Sequence, residues 1–330
     1  MNTELRIYIA GGRIKIMKHL VTGAAGFIGS NLVKELLERG EEVIGVDSFS
    51  NYYSRELKER NLLGILNNKN FMFIEADLFT LDLNQIFKGV DYIYHQAAQA
   101  GVRSSWGDEF EVYNQNNILL TQKLLEAAKD CNSLKKFVYA SSSSVYGDTD
   151  QMPMTEDQRL QPVSPYGVSK LGGENLCYLY YKNFKVPTVS LRYFTVYGEA
   201  QRPDMAFHIF IKAFLTGEKI NIFGDGKQSR NFTYVKDIAR ANILAAKRAP
   251  AGEIINIGGS GKGIVLNDTL DLIKELTGCE TKIIYKEKVK GDVKHTSANT
   301  SKAEMLLNYK PVVSFEEGLK REVEWLKRIY

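Results

Sequence analysis

The chain has 330 residues, of which 44% are hydrophobic and 25% charged, a composition typical of a soluble globular protein. A net charge of +4 is too weakly basic to indicate nucleic-acid binding, although it is compatible with a small anionic ligand. The sequence contains no apolar, uncharged stretch of about 18 residues, so we expect no membrane span.

Cysteine and histidine usage narrows the class further. Cys131, Cys177 and Cys279 are scattered and odd in number, which argues against a disulfide framework and indicates a reducing cytoplasm. The 4 histidines show no metal-ligand spacing, so no metal is expected. Residues 1–16 lack the long apolar core of a signal peptide, and we assign no function to them.

From Lys18 onward, strand-like apolar runs alternate with segments of helical spacing. The runs are HLVTG, EEVIGVD, FMFIEAD, VDYIYHQAA, KKFVYASS and TVSLRYF. This alternation predicts an α/β protein with a doubly wound parallel sheet of the Rossmann type. After about Val196 the elements shorten, which indicates a smaller interleaved α/β domain. We predict a first domain over residues 17–194 with a returning segment at about 231–260, and a second domain over 195–230 and 261–330.

A glycine-rich loop, HLVTGAAGFIGS, joins the first predicted strand to the first helix. Glycines there allow a tight turn and let a pyrophosphate approach the helix N-terminus, although a turn without a ligand would look the same. The second strand ends in Asp47, whose carboxylate can accept hydrogen bonds from an adenosine ribose and repels a 2′-phosphate. We therefore predict NAD rather than NADP as the cofactor. The predicted contacts in the loop are Gly23, Gly26, Phe27, Ile28 and Gly29.

Asp77 ends the third predicted strand and is followed by Leu78. The aspartate could be a helix cap. It is also placed to meet an adenine amino group, so both residues are included among the predicted cofactor contacts.

A tyrosine precedes a lysine by four residues at three places: Tyr166/Lys170, Tyr178/Lys182 and Tyr181/Lys185. On a helix this spacing stacks the two side chains on one face. Only the first pair begins a helix after the strand KKFVYASS, close to the carboxyl edge of the sheet where ligands bind. The positive charges of Lys170 and of oxidised nicotinamide would lower the pKa of Tyr166 and let it act as a base. We expect the other two pairs to be packing and solvated residues.

The strings TGAAGFIGS, SSSSVYG and YGVSK, in this order and spacing, resemble the extended short-chain dehydrogenase/reductases, specifically the NAD-dependent nucleotide-sugar epimerases and dehydratases. The resemblance runs from Met17 nearly to the C-terminus. It implies that Ser142 is the hydroxyl partner, Tyr166 the base, and Lys170 the residue that holds the cofactor ribose and tunes the tyrosine. It also implies a homodimer formed through helices such as 117–129 and 166–184. Further implied cofactor contacts are Ala97, Asn116 and Tyr193.

The same resemblance implies a nucleotide-sugar site in the second domain. Phe223 in NIFGDGKQSRNFTYV would stack on uracil, and Arg230 would pair with the diphosphate, which suits a guanidinium. Arg230 could equally be a common surface arginine. Asp292 matches a ribose-binding aspartate, whereas Val289 stands where many relatives have a basic residue, so one phosphate contact could fall to a neighbouring lysine.

Three chemistries share this scaffold, and each begins when the tyrosine takes the sugar 4-hydroxyl proton while NAD takes the C4 hydride. Related dehydratases and decarboxylases carry carboxylates immediately before VYG, where this chain has Ser143 and Ser144. The remaining reading is epimerisation of a UDP-sugar at C4, with Ser142, Ser143 and Ser144 near the substrate. A non-catalytic NAD-sensing protein of the same fold is the alternative from another class.

The segment RYFTVYGEAQRPDMAFH bears on the substrate, because it resembles the UDP-glucuronate 4-epimerases. In these, the residues matching Thr195 and Arg202 hold the C6 carboxylate of the sugar, and arginine can pair with a carboxylate bidentately. Arg202 could instead be a surface residue that opens a helix, since Glu199 replaces the usual proline after VYG. A 4-epimerase for UDP-glucose or its N-acetylated analogue is therefore the second enzymatic alternative.

Overall fold

The computed structural model describes residues 16–259, 263–287 and 295–330. Asp292 and Val289, with the questions attached to them, lie outside the described residues, as do residues 1–15.

The strands are β1 Lys18–Thr22, β2 Glu42–Asp47, β3 Phe71–Glu75, β4 Tyr92–His95, β5 Lys136–Ser142, β6 Thr188–Tyr193, β7 Val196–Tyr197, β8 Ile220–Phe223, β9 Ser229–Arg230, β10 Thr233–Tyr234, β11 Glu253–Ile257, β12 Ile264–Val265, β13 Ile283–Lys286 and β14 His295–Thr296. The α-helices are α1 Phe27–Glu38, α2 Arg55–Leu62, α3 Leu83–Phe87, α4 Phe110–Tyr113, α5 Leu120–Lys129, α6 Pro165–Phe184, α7 Ala206–Thr216, α8 Val235–Arg248, α9 Leu266–Thr277, α10 Ser301–Leu307 and α11 Phe315–Leu326.

Across the described ranges, seven strands form one parallel sheet in the order β3-β2-β1-β4-β5-β6-β11. Side chains alternate across it, so Leu20 packs into the core on one face and Val21 into the core on the other. Helices α1 and α8 supply buried residues to the Val21 face, and α5 and α6 to the Leu20 face. The predicted doubly wound parallel sheet is confirmed.

The order of the strands in the large sheet creates a crevice in which a ligand can bind. The chain passes from β1 outward to β2 and β3, and then returns to β4 on the other side of β1. The loops after β1 and β4 therefore diverge, which leaves an opening at the carboxyl ends of these strands. The glycine-rich loop lies at this opening.

The second half of the chain is built from short pieces. Strand β7 pairs with β10, β8 pairs with β13, and β9 lies between β12 and β14. Strand β11 joins the large sheet beside β6. The predicted boundary between residues 194 and 195 falls between β6 and β7, and the division into domains stays a prediction.

Some element ends differ from the sequence prediction. Strand β3 ends at Glu75, because Asp77 begins a turn in which its Oδ1 accepts the Phe79 N–H at 2.9 Å. A π-helical turn, Asn114–Leu119, precedes α5 in the helix predicted over 117–129. None of the helices in the described part of the chain is long and apolar enough to span a bilayer.

Candidate active site

The glycine-rich turn is packed too tightly for side chains. Gly23 has φ +69°, and a Cβ on it would lie 2.8 Å from the Ala97 nitrogen. A Cβ on Gly29 would lie 2.0 Å from the Gly23 carbonyl oxygen. Gly26 is the N-cap of α1 and offers no side-chain cap, so the first N–H groups of this helix are available to an anion. This turn fits a dinucleotide pyrophosphate.

Asp47 is held at the end of β2 by its own neighbours. Its Oδ2 accepts the Ala25 N–H at 3.0 Å, and its Oδ1 accepts the Phe49 N–H at 2.9 Å. Each carboxylate oxygen keeps a further lone pair for a ribose hydroxyl. Lys58 is buried close by and donates to the Ser50 carbonyl at 2.5 Å.

A cleft of about 270 Å³ opens over the glycine turn. Every residue predicted to contact the cofactor lines this cleft: Gly23, Gly26, Phe27, Ile28, Gly29, Asp47, Asp77, Leu78, Ala97, Asn116, Tyr166, Lys170 and Tyr193. Arg202, which was predicted to hold the substrate, lines the same cleft. The structure thus brings the glycine turn, the Tyr/Lys pair and Arg202 to one place.

The Tyr166/Lys170 pair lies in the first turns of α6. The helix begins there because Pro165 suits its first position and the Ser164 hydroxyl accepts the Gly167 N–H at 3.1 Å. Lys170 is buried, and its Nζ donates to the Ala140 carbonyl at the end of β5 at 2.8 Å. The Ser142 hydroxyl donates to the Ser144 hydroxyl at 3.1 Å, and it is close enough to Tyr166 to act to lower the pKa of that phenol. Lys170 is thus anchored to the strand that ends in Ser142, one turn of α6 after Tyr166.

The electrostatics of the pair differ from the expectation drawn from sequence. Burial raises the pKa of Tyr166, whereas the nearby Ser142 hydroxyl and the charge of Arg202 act to lower it. Burial also lowers the pKa of Lys170 to about 7. Protein groups by themselves therefore do not bring the pKa of Tyr166 below its ordinary value.

Arg202 meets the cleft from the loop between β7 and α7. Its Nε donates to Asp204 Oδ1 at 2.9 Å, and its Nη2 donates to Asp204 Oδ2 at 3.0 Å. The loop is tied down at Glu199, whose carboxylate accepts the Tyr234 hydroxyl at 2.7 Å. Thr195 is half-buried between β6 and β7, where its carbonyl accepts the Thr233 N–H at 2.9 Å. Glu199, which stands where a proline usually follows VYG, thus holds this loop against Tyr234.

The residues predicted to bind the nucleotide lie in the second half of the chain. Phe223 ends β8 and Arg230 ends β9, and both are half-buried. The Arg103 guanidinium, from the loop after β4, lies 5.6 Å from the centre of the Phe223 ring. Neither Phe223 nor Arg230 lines the main cleft, and Thr195 and Ser142–Ser144 also lie outside its lining. Their substrate roles stay predictions.

Several residues in and around the cleft could not be recognised as site residues from the sequence. The Tyr193 hydroxyl donates to Asn242 Oδ1 at 2.8 Å and accepts from Gln96 Nε2 at 3.1 Å, and both partners come from distant segments. Tyr52, in the loop after β2, reaches Asp204. Proximity in sequence to Arg202 could have indicated Asp204. Nothing local indicates Tyr52, Gln96 or Asn242.

The two tyrosine–lysine pairs further along α6 lie away from the cleft. Tyr178 is exposed, and the Tyr181 ring lies where a Cβ on Gly252 would be. Among the residues that the structure describes, no group of three His, Cys, Asp or Glu side chains could hold a metal ion.

This combination of a parallel sheet, a glycine turn and a serine–tyrosine–lysine group defines a dinucleotide-dependent enzyme of the short-chain dehydrogenase/reductase type. Residues 19–258 match the model of the NAD dependent epimerase/dehydratase family, so the chain belongs to that family. The predicted family, fold class and NAD cofactor are confirmed, as is an epimerase type of enzyme.

Its relatives are similar over nearly their whole length. The chain is 46% identical to the "Uncharacterized UDP-glucose epimerase YtcB" of Bacillus subtilis (strain 168), over 95% of this chain and 99% of that protein. It is 43% identical to a UDP-glucuronate 4-epimerase of Thermodesulfobacterium geofontis (strain OPF15), over 94% and 96%. A crystal structure of UDP-glucuronic acid 4-epimerase from Bacillus cereus, in complex with UDP-glucuronic acid and NAD, superimposes with a TM-score of 0.91 at 45% identity, over 95% and 100%.

Proposed function

We propose that this protein is an NAD-dependent 4-epimerase that interconverts UDP-glucuronate and UDP-galacturonate. The observation that carries the proposal is that Tyr166 and Arg202 line one cleft with the glycine turn. A base for the sugar 4-hydroxyl and a cation for the sugar carboxylate thus lie beside the cofactor site. The relatives that act on UDP-glucuronate by name support the same substrate.

In this proposal the cleft would hold NAD against the glycine turn and Asp47, and the cofactor would supply the acceptor and donor for the C4 hydride. Tyr166 takes the 4-hydroxyl proton and later gives it back, and the nearby Ser142 acts to lower the pKa of Tyr166. Lys170 holds the cofactor ribose from its buried position below Ala140. Between the two transfers the 4-keto sugar turns, so that the hydride returns to the other face of C4.

The residues before VYG favour epimerisation over elimination or decarboxylation. Ser143 and Ser144 are half-buried beside Ser142, and the Ser142 hydroxyl accepts the Ser144 N–H at 3.1 Å. A hydroxyl at these positions cannot serve as the carboxylate acid or base that removal of a C5 proton or of the 6-hydroxyl needs. Without a carboxylate at these positions, the reaction proposed for the 4-keto sugar is its reduction.

The nucleotide is proposed to lie against the second half of the chain. Phe223 would stack on uracil, Arg230 would pair with the diphosphate, and Asp292 would bind the ribose. Residues 195–230 and 261–330 then form the nucleotide-sugar domain, with 17–194 and about 231–260 as the NAD domain.

A homodimer is proposed through the helices near α5 and α6. Within the described residues this region exposes several large apolar side chains: Val112, Leu119, Val168, Leu179 and Phe184 are each at least 40% exposed. Light scattering on the purified protein tests this, and a monomer at micromolar concentration would contradict it. The cytoplasmic location and the absence of a nucleic-acid partner stay predictions.

Incubation with a panel of UDP-sugars, followed by NMR of the products, tests the function. UDP-glucuronate should give UDP-galacturonate without added NAD, and the purified protein should show near-ultraviolet absorbance from bound cofactor. Turnover of UDP-glucose in preference to UDP-glucuronate would establish the second candidate, which the name of the Bacillus subtilis relative favours. Bound NAD without turnover of any UDP-sugar would indicate a sensing protein.

A further inference from the structure

Three loops from different parts of the chain meet at the mouth of the cleft. Tyr52 comes from the loop between β2 and α2, Ser104 from the segment after β4, and Arg202 and Asp204 from the loop between β7 and α7. The Tyr52 hydroxyl donates to Asp204 Oδ2 at 3.1 Å. Asp204 in turn receives both hydrogen bonds from the Arg202 guanidinium. Asp204 therefore bridges Tyr52, from the cofactor-binding part of the chain, and Arg202.

The contacts leave one edge of the guanidinium for a second anion. Asp204 occupies the edge formed by Nε and Nη2, and in the described part of the chain no other acceptor takes a hydrogen bond from Arg202. A guanidinium has five N–H donors in a planar fork, so the edge formed by Nη1 and Nη2 can still take a carboxylate. The Arg202 side chain is 20% exposed and lines the cleft beside Tyr166.

Tyr52 restricts the arginine from a second direction. The Arg202 Cζ lies 5.7 Å from the centre of the Tyr52 ring, within the range of a cation–π contact. The Ser104 hydroxyl is close enough to Tyr52 to act to lower its pKa, and it lies 2.8 Å from the Tyr113 hydroxyl. An arginine held by a bidentate carboxylate and an aromatic face has lost its rotamer freedom before the substrate arrives.

We propose that Asp204 and Tyr52 are positioning residues that fix the guanidinium of Arg202 against the C6 carboxylate of the sugar, and that this fixation determines both the preference for a charged sugar and the fate of the 4-keto intermediate. The inference rests on the proposed function. It assigns a substrate-specificity role to Tyr52, a residue of the cofactor-binding half of the chain, and to Asp204, which carries the same sign of charge as the substrate group.

The fate of the intermediate depends on the orientation of its carboxylate. The 4-keto sugar is a β-keto acid: if the C5–C6 bond aligns with the carbonyl π system, that bond breaks and carbon dioxide leaves. The electron pair then forms the C4–C5 enolate, which takes a proton at C5, while the two electrons removed from C4 remain on the cofactor as NADH. A carboxylate held near the ring plane by a rigid Arg202 is out of that alignment. Loosening Arg202 therefore releases carbon dioxide, a 4-keto pentose and reduced cofactor.

Two variants test the proposal, each with a matched control. Asp204→Asn keeps the shape of the side chain and removes its charge, and Tyr52→Phe removes one hydroxyl and keeps the ring. The controls are Asp130→Asn, an exposed residue at the end of α5, and Tyr92→Phe, at the opposite end of the sheet from the cleft. Products from UDP-glucuronate are quantified by NMR, reduced cofactor by absorbance, and folding by melting temperature.

The expected result is a shift in product ratio. Asp204→Asn should lower kcat/KM for UDP-glucuronate about tenfold, the effect of weakening a charged hydrogen bond. Tyr52→Phe should have a smaller effect in the same direction. Both should raise the fraction of decarboxylated product and of NADH, while activity on UDP-glucose and both controls stay at the wild-type level. Wild-type product ratios in both variants, or equal losses on both sugars, would overturn the proposal.

A binding measurement tests the proposal even if the variants have too little activity for their products to be quantified. In a Tyr166→Phe background, calorimetry gives the ratio of Kd for UDP-glucose to Kd for UDP-glucuronate, and Asp204→Asn should reduce this ratio. Tighter binding of UDP-glucuronate by Asp204→Asn would show that the aspartate competes with the sugar carboxylate, and would also overturn the proposal. A wild type that epimerises UDP-glucose and ignores UDP-glucuronate would instead refute the proposed function, so the two failures are distinguishable.

Discussion

Tyr166 and Arg202 line one cleft, although one opens α6 and the other precedes α7. Burial raises the pKa of the Tyr166 phenol, and the nearby Ser142 hydroxyl and the Arg202 charge oppose this rise. The cation proposed to hold the sugar carboxylate therefore also acts on the proposed base. If both proposed roles hold, substrate choice and proton transfer depend on the same arginine, and the predictions below test this.

Tyr166→Phe should abolish turnover of UDP-glucuronate and leave NAD and UDP-sugar affinity close to wild type. The change removes the phenolic proton path and keeps the ring, which packs edge-on against Tyr113 at 6.2 Å between centroids. Steady-state assays and calorimetry on the same preparation separate the two effects. Tyr178→Phe, exposed on the same helix, is the control and should retain full activity. Near-wild-type turnover by Tyr166→Phe would assign the base elsewhere.

Arg202→Met should lower kcat/KM for UDP-glucuronate about 10- to 150-fold, since a charged hydrogen bond contributes roughly 1.5–3 kcal/mol. At a pH above the rising limb of the profile of both enzymes, residual activity on UDP-glucose should hardly change, because that sugar has no carboxylate at C6. Steady-state kinetics of the wild type and of Arg202→Met with each of the two sugars measure these effects. Equal losses of kcat/KM on the two sugars would mean that Arg202 does not bind the C6 carboxylate.

The same variant should shift the pH dependence. The base form of Tyr166 is the one that accepts the proton, and removing the Arg202 charge removes an influence that lowers the Tyr166 pKa. The rising limb of kcat/KM against pH should therefore move to higher pH in Arg202→Met, because this profile reports the free enzyme. Arg55→Met, which removes an exposed guanidinium in α2, should leave the limb in place. A limb at the wild-type position in Arg202→Met would contradict the coupling.

Cofactor choice should depend on Asp47. The carboxylate is fixed by the Ala25 and Phe49 N–H groups, and its charge repels a 2′-phosphate. Apo-enzyme reconstituted with NAD should be active, and reconstitution with NADP should fail. Asp47→Asn should narrow the difference between the cofactors, whereas Asp77→Asn in the same cleft should affect both equally. Comparable activity of the wild type with NAD and NADP would refute this role of Asp47.

Stability should depend on an ion pair behind the active site. Glu174, one turn after Lys170, and Arg192 in β6 are each 1% exposed, and Arg192 Nη2 lies 2.6 Å from Glu174 Oε1. Glu174 also accepts the Ser141 hydroxyl at 2.7 Å. Arg192→Met leaves a buried carboxylate unpaired, so the free energy of unfolding should fall by about 3–5 kcal/mol.

Urea denaturation of Arg192→Met measures this loss. Arg39→Met is the matched control, because Arg39 pairs with Glu35 on the surface of α1 and is 39% exposed. Breaking such a surface pair costs about 1 kcal/mol or less. Equal losses in the free energy of unfolding for the two variants would show that the buried Glu174–Arg192 pair contributes no more to stability than a surface pair.

The sequence by itself determined the features that depend on local chemistry. Glycine spacing after a strand and an aspartate at the end of the next strand are local requirements of a dinucleotide site, and Gly23, Gly29 and Asp47 fulfil them in the fold. Alternation of apolar runs gave the parallel sheet. The position of Tyr166 at the start of a helix after β5 singled out one of three equally spaced pairs, and that pair lines the cleft.

The tertiary structure decided which distant residues meet. Tyr52 and Asp204 are far apart in the chain, and their contact exists because the loops after β2 and β7 converge over the carboxyl edge of the sheet. The pKa of Tyr166 also could not be read from spacing, because burial, a property of the whole packed core, outweighs the neighbouring charges. Local patterns specify which groups are present, and only the packing of the sheet and its loops sets their distances and their exposure to water.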